Sequence, residues 1–113
     1  MIEIAIDQDH YPTENFLKSL ERYAWESDDI VVAAEEILLE ILPEAAKRME
    51  ICQCRIKDSV HEYTGRKVKQ IEFVTGGWSG AEDLIEAILS TPARMLYYKE
   101  WRRGGYHLFE VPE

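Results

Sequence analysis

The chain has 113 residues, 46% of them hydrophobic, which suits one domain with its own core and excludes global disorder. The net charge of −9, from 22 acids and 13 bases, disfavours nucleic acid as a partner. No apolar run reaches the roughly 18 residues of a membrane span, so no membrane role is expected.

The N-terminus, MIEIAIDQDH, has neither the basic region nor the cleavage site of a secretion signal, and the expected compartment is the cytoplasm. Its partial alternation fits a short first strand or an irregular arm. Pro12 then breaks the chain, Thr13 can cap a helix, and Glu14 suits its first turn. Phe16, Leu17, Leu20, Tyr23 and Ala24 recur at helical spacing, with Lys18, Glu21 and Arg22 outward. A second helix starts at Ser27 or Asp28. Ile30 to Ala34, Ile37 to Leu39, Ile41 and Leu42 cover most of its circumference, leaving Glu35, Glu36 and Glu40 as a narrow acidic stripe. Such a helix is buried on two sides, either at the centre of the domain or against a second subunit. Pro43 fits the first turn of a short helix that follows.

From about Glu50 the period changes to two. Cys52, Cys54, Ile56 and Val60 fall on one strand face and Gln53, Arg55, Lys57 and Ser59 on the other. YTGR supplies a turn, and Lys67 to Val74 returns antiparallel with Ile71 and Phe73 inward. The next helix carries Leu84, Ile85, Ile88 and Leu89 and ends at Ser90–Pro92. RMLYYKEW and YHLFEV, joined at Gly104 and Gly105, form a second hairpin. The expected fold is α+β over a single domain, 1–113: N-terminal helices on a four-stranded antiparallel sheet, in the order α-α-β-β-α-β-β. Residues 1–49 are the helical half and 50–113 the hairpin–helix–hairpin half. The charge divides with them, since residues 1–50 hold 13 acids and 4 bases while residues 51–113 hold 9 of each. The first half thus carries the whole imbalance and favours a basic partner.

Four features could carry chemistry. Thr75, Gly76, Gly77, Trp78 and Ser79 lead from a strand into a helix, the layout of many phosphate sites, and Gly80 would permit close approach. The spacing matches neither a Walker A loop nor a dinucleotide fingerprint. Ser79 and Glu82 have capping-box spacing, and Glu82 and Asp83 already satisfy the helix dipole. A structural corner is therefore preferred over an anion site, with Trp78 either plugged into the fold or exposed as an anchor. In the second hairpin, a tight turn sets Arg102 across from His107 and Trp101 across from Leu108. Glu100, Arg102 and His107 would then share one face, with Arg103 beside them, as an acid–base cluster or as ordinary exposed charges. Third, the aromatics Tyr97, Tyr98, Trp101, Tyr106 and Phe109 could build an RNA platform, but a core or protein interface suits the charge better. Fourth, Cys52 and Cys54 stand too close along one strand for an unstrained disulfide. Free thiols fit, and neither His61 nor His107 has metal-ligand spacing to them. No nucleophile motif occurs and the histidines are scattered, so no enzyme, cofactor or metal is expected.

The stretch IEFVTGGWSGAEDLIEAIL, together with WRRGGYHLFEVP, resembles a group of small bacteriophage and prophage proteins to which no activity is attached. The resemblance rests on the Thr-Gly-Gly-Trp-Ser-Gly core, the acid at Glu82, and the closing Arg-Gly-Gly with its aromatics. It covers about residues 50–112 and leaves the acidic helices outside. It implies a phage accessory protein in a bacterial cell. With the acidic first half, the expectation is a non-enzymatic protein that binds and inhibits a host or phage protein. The alternatives are nucleotide or small-anion binding at the glycine turn, and a structural homodimer through the second helix.

Overall fold

Alternating side chains in two hairpins build a four-stranded antiparallel sheet in the computed structural model, which describes residues 2–113. The strands are β1 (Gln53–Val60), β2 (Lys67–Val74), β3 (Tyr98–Arg102) and β4 (Tyr106–Pro112), ordered β1-β2-β4-β3. Ile71 lies between Ile56 and Phe109, and Phe73 between Cys54 and His107. Ile71, Phe73, Phe109 and Val111 are buried in one core with the helices. The opposite face carries Arg55, Lys57, Gln70, Glu72 and Glu110, so the helices cover one side of the sheet only. The α+β class and the element order are those expected.

The helices are α1 (Glu14–Tyr23), α2 (Ile30–Glu36), α3 (Leu42–Met49), α4 (Ser79–Leu89) and α5 (Pro92–Tyr97), with a π-helical turn, Ile37–Ile41, joining α2 to α3. Thr13 caps α1 by accepting from the Phe16 amide. Asp29, rather than Ser27 or Asp28, caps α2 by accepting from the Val32 amide. Residues 2–6 form an arm, with one bridge between Ile6 and Pro12. Ile2, Ile4, Ala5 and Ile6 pack on the core from there, and Arg48 donates to the Ile4 carbonyl.

The run from α2 to α3 explains its own unusual composition. Its buried residues are Ala33 and Ala34, Ile37 and Leu38, Ile41 and Leu42, Ala45 and Ala46, then Met49. That is a repeat of four. In an uninterrupted α-helix a repeat of four drifts by about 40° per step, which over this run would carry the stripe to the far side. The wider π turn, in which the Leu42 amide bonds to the Ile37 carbonyl, holds the stripe inward. Pro43, in the first turn of α3, has no amide hydrogen to lose there. The start of this run is not buried within the chain itself. Ile30, Val31 and Val32 project into solvent, so the helix is not covered all round.

Two further differences concern the second half. Residues 92–97 are helical, where Pro92 was expected to end a helix and Arg94 to begin a strand, because Thr91 caps them by accepting from the Ala93 amide and Pro92 opens the first turn. In β1, Ile56 and Val60 are exposed although they share the core-side face.

Candidate functional site

The glycine corner is tied inward through Thr75, the Gly77 amide and Ser79. Thr75 is fully buried; its hydroxyl donates to the Glu82 carboxylate at 2.9 Å and accepts from the Gly77 amide at 3.2 Å. The Thr75 amide donates to the Gly105 carbonyl at 3.0 Å, which ties the corner to the turn of the other hairpin. Gly105 lies so close that an added Cβ would stand 1.8 Å from the Thr75 hydroxyl, and its φ of +77° also favours glycine. Gly76 and Gly77 form the exposed bend.

Trp78, not Ser79, is the N-cap of α4, so the capping box does not form. Glu82 reaches back to Thr75 instead, and the Ser79 hydroxyl hydrogen-bonds to the Tyr11 hydroxyl at 2.9 Å. The Trp78 ring folds over Gly80, where a Cβ would approach it to 2.7 Å, and tilts against Tyr11 at 4.9 Å. Trp78 therefore plugs the corner against the N-terminal segment. An anion at the α4 N-terminus would meet the Glu82 charge in the first turn.

The second hairpin is in a different register from the one expected. Arg102 pairs with Tyr106 and Trp101 with His107, across a turn of Arg103, Gly104 and Gly105. The third turn residue is needed because Gly105 is anchored to Thr75. Every side chain from Arg102 back is thereby shifted, and the group of Glu100, Arg102 and His107 does not assemble. Glu100 and Arg102 pair at 2.6 Å on the open face of the sheet, and Arg102 also lies over the Tyr106 ring at 5.2 Å. Trp101 and Arg103 are exposed.

His107 turns to the helical side, where it is buried, and its Nδ1 lies 2.7 Å from the Tyr98 hydroxyl. Burial lowers the His107 pKa, opposed by the nearby Glu82 charge, and burial raises that of Tyr98. The Tyr98–His107 pair escaped sequence reading, because the shift that creates it comes from a contact between two turns.

The aromatic side chains do not form a platform. Phe109 is core, Tyr98 half-buried beside it, and Tyr106 donates to Glu72 at 2.6 Å. That bond lowers the Glu72 pKa, while burial and then Glu72 itself push Tyr106 up to about 12. Elsewhere on the open face, Lys57 pairs with Glu72 at 3.3 Å, and Glu110 accepts from Lys99 at 2.9 Å and from Gln70 at 3.2 Å. Burial alone would raise the Glu110 pKa, but these donors outweigh it and lower it.

The acidic stripe is different. Glu35, Glu36 and Glu40 border a shallow groove of about 330 Å³ with Val32 and Leu39. Glu36 accepts from the Tyr23 hydroxyl at 2.7 Å. No ion pair involves any of the three among the described residues. Val31 and Val32 beside them are 46% and 58% exposed. α5, which packs against α2, adds the exposed Met95 and Leu96. The sequence shows the acids, but its pattern places Val31 and Val32 inside the domain or against a second subunit and Met95 and Leu96 in a strand.

Cys52 and Cys54 are free thiols. Burial raises both pKa values, that of Cys54 to about 12. No group of three metal-ligating side chains occurs among the described residues, and no helix is long and apolar enough to cross a membrane. Comparison of the chain with protein-family models, curated proteins and solved structures finds no match.

Proposed function

We propose that this is a non-enzymatic binding protein, a phage accessory protein of the bacterial cytoplasm, that engages and inhibits a host or phage protein through the acidic face of α2. The observation that carries the reading is the groove at Val32, Glu35, Glu36, Leu39 and Glu40, whose carboxylates have no cation beside them among the described residues. Exposed apolar groups set among unpaired acids suit a partner segment that is basic and apolar by turns. Its arginines or lysines would pair with Glu35 and Glu40, and its apolar residues would cover Val31 and Val32.

The same charges argue against the two alternatives. A homodimer through this face would bring two acidic stripes together. A nucleotide at the glycine corner would meet the Glu82 charge in the first turn of α4. Capture of partners from bacterial lysate by the tagged protein, at low and moderate salt, tests the reading. The expected result is one protein partner, weakened by salt and lost when Glu35, Glu36 and Glu40 are changed to Lys. Retention of every partner by that triple variant would overturn it.

A further inference from the structure

The sheet has two edges, and they are not alike. β3 is five residues long and its register breaks between Tyr98 and Glu100, which blunts it. β1 is eight residues long and pairs with β2 through eight consecutive positions without a bulge. None of its residues makes a backbone hydrogen bond beyond the sheet among the described residues. A long regular edge with free amides and carbonyls is a template for another strand.

What lies beside this edge defines what could add to it. Between α3 and the start of β1 runs a groove of about 320 Å³, bordered by Ala46, Lys47, Cys52, Cys54 and Arg55. Ala46, Pro43 and the two thiols give it an apolar part. Its rims are cationic. Lys47 and Arg55 are exposed and make no ion pair among the described residues, although Arg55 is near enough to Glu72 to help lower its pKa. In a chain of net charge −9 this is a local reversal of sign.

A second copy is disfavoured in the two registers that would use most of the strand. Antiparallel pairing of two β1 strands about Ile56 sets Arg55 against Lys57 twice, and pairing about Lys57 sets lysine against lysine. We propose that the outer edge of β1 binds an extended peptide of alternating acidic and apolar residues, added as a fifth strand. One apolar side chain enters the groove over Ala46, Cys52 and Cys54, where Lys47 flanks it, and the neighbouring carboxylate points to the open face and meets Arg55. This surface is separate from the α2 face and does not depend on its role.

The test uses the full chain and fluorescein-labelled Val-Glu-Val-Asp-Val-Glu. Anisotropy should report saturable binding, with amide shifts concentrated at residues 52–58. Replacing the peptide's acids by lysine should abolish it. N-methylation of one alternate set of peptide amides should abolish binding while methylation of the other set is tolerated, the signature of strand pairing. The exposed double variant Lys47→Glu, Arg55→Glu should weaken binding at least tenfold. No binding at millimolar peptide, equal tolerance of both methylated peptides, shifts confined to α2, or unchanged affinity of the double variant would each overturn the proposal. So would a dimer that the Arg55→Glu change dissociates, because it would assign the edge to a second copy.

Discussion

The glycine corner and the α2 face are both places where polar groups gather, yet they are opposites. At the corner, Thr75 is satisfied by Glu82, Gly77 and Gly105, and Ser79 by Tyr11. On α2 and the π turn after it, three carboxylates stand beside exposed valines with only the Tyr23 hydroxyl to engage them. Groups that bond one another stabilise the fold; groups left beside exposed apolar surface are free for a partner. The motif that looks most like a ligand site in the sequence is thus the one most fully committed to holding the protein together.

Substitutions should separate the two regions, and the largest effect belongs at the corner. Gly105→Ala forces a Cβ against the Thr75 hydroxyl in a left-handed conformation, and should cost about 3 kcal/mol or more in denaturant unfolding. A loss under about 1 kcal/mol would break the comparison at its strongest point. Thr75→Val keeps the shape but strands Glu82 and the Gly77 amide, and should cost about 2 kcal/mol.

A smaller effect is expected from His107, which reports on the same end of the sheet. Burial lowers its folded pKa below the ordinary 6.5, so the unfolded chain takes up the proton first. The associated stability is present above pH 6.5 and falls as pH drops through the lower folded value. Glu72 and Glu110, with lowered pKa values, add a separate loss below pH 4.5. Urea midpoints at pH 7.5 and 5.5 should therefore fall for the native chain and fall less for His107→Gln. Equal slopes for both proteins would show that the buried imidazole does not titrate with folding.

The smallest effect on stability is expected on α2. Glu35→Lys and Glu40→Lys should each change unfolding free energy by no more than about 0.5 kcal/mol, because neither side chain has a partner to lose. A thermal melt checks this, and a clear destabilisation would mean that the stripe is structural after all. Paired with loss of binding, an unchanged melt would sharpen the contrast with the corner.

Local chemistry was legible at most, though not all, positions where neighbours along the chain decide the outcome, the Thr91 cap and Pro92 start of α5 being the exception. Thr13 caps α1, Pro43 opens α3, and alternation in Lys67 to Val74 gives β2 with Ile71 and Phe73 inward. The repeat of four from Ala33 to Met49 was also present in the letters, and it carries the signal for a π turn that a search for the ordinary helical period passes over. The acidity of residues 1–49 and the absence of a long apolar run belong to this level too.

Other features depended on contacts that no short window contains. Whether Ser79 caps α4 was settled by Tyr11, 68 positions away, and by Thr75, which takes the Glu82 side chain that a capping box would use. The face on which His107 lies was settled by one added turn residue, itself fixed where Gly105 meets Thr75. Composition and periodicity, which act locally, determined the helices, the strands and the α+β class of this protein. Register, caps and the choice of which polar groups stay free were decided by tertiary structure, because a single residue of shift in a strand turns every side chain to the other face.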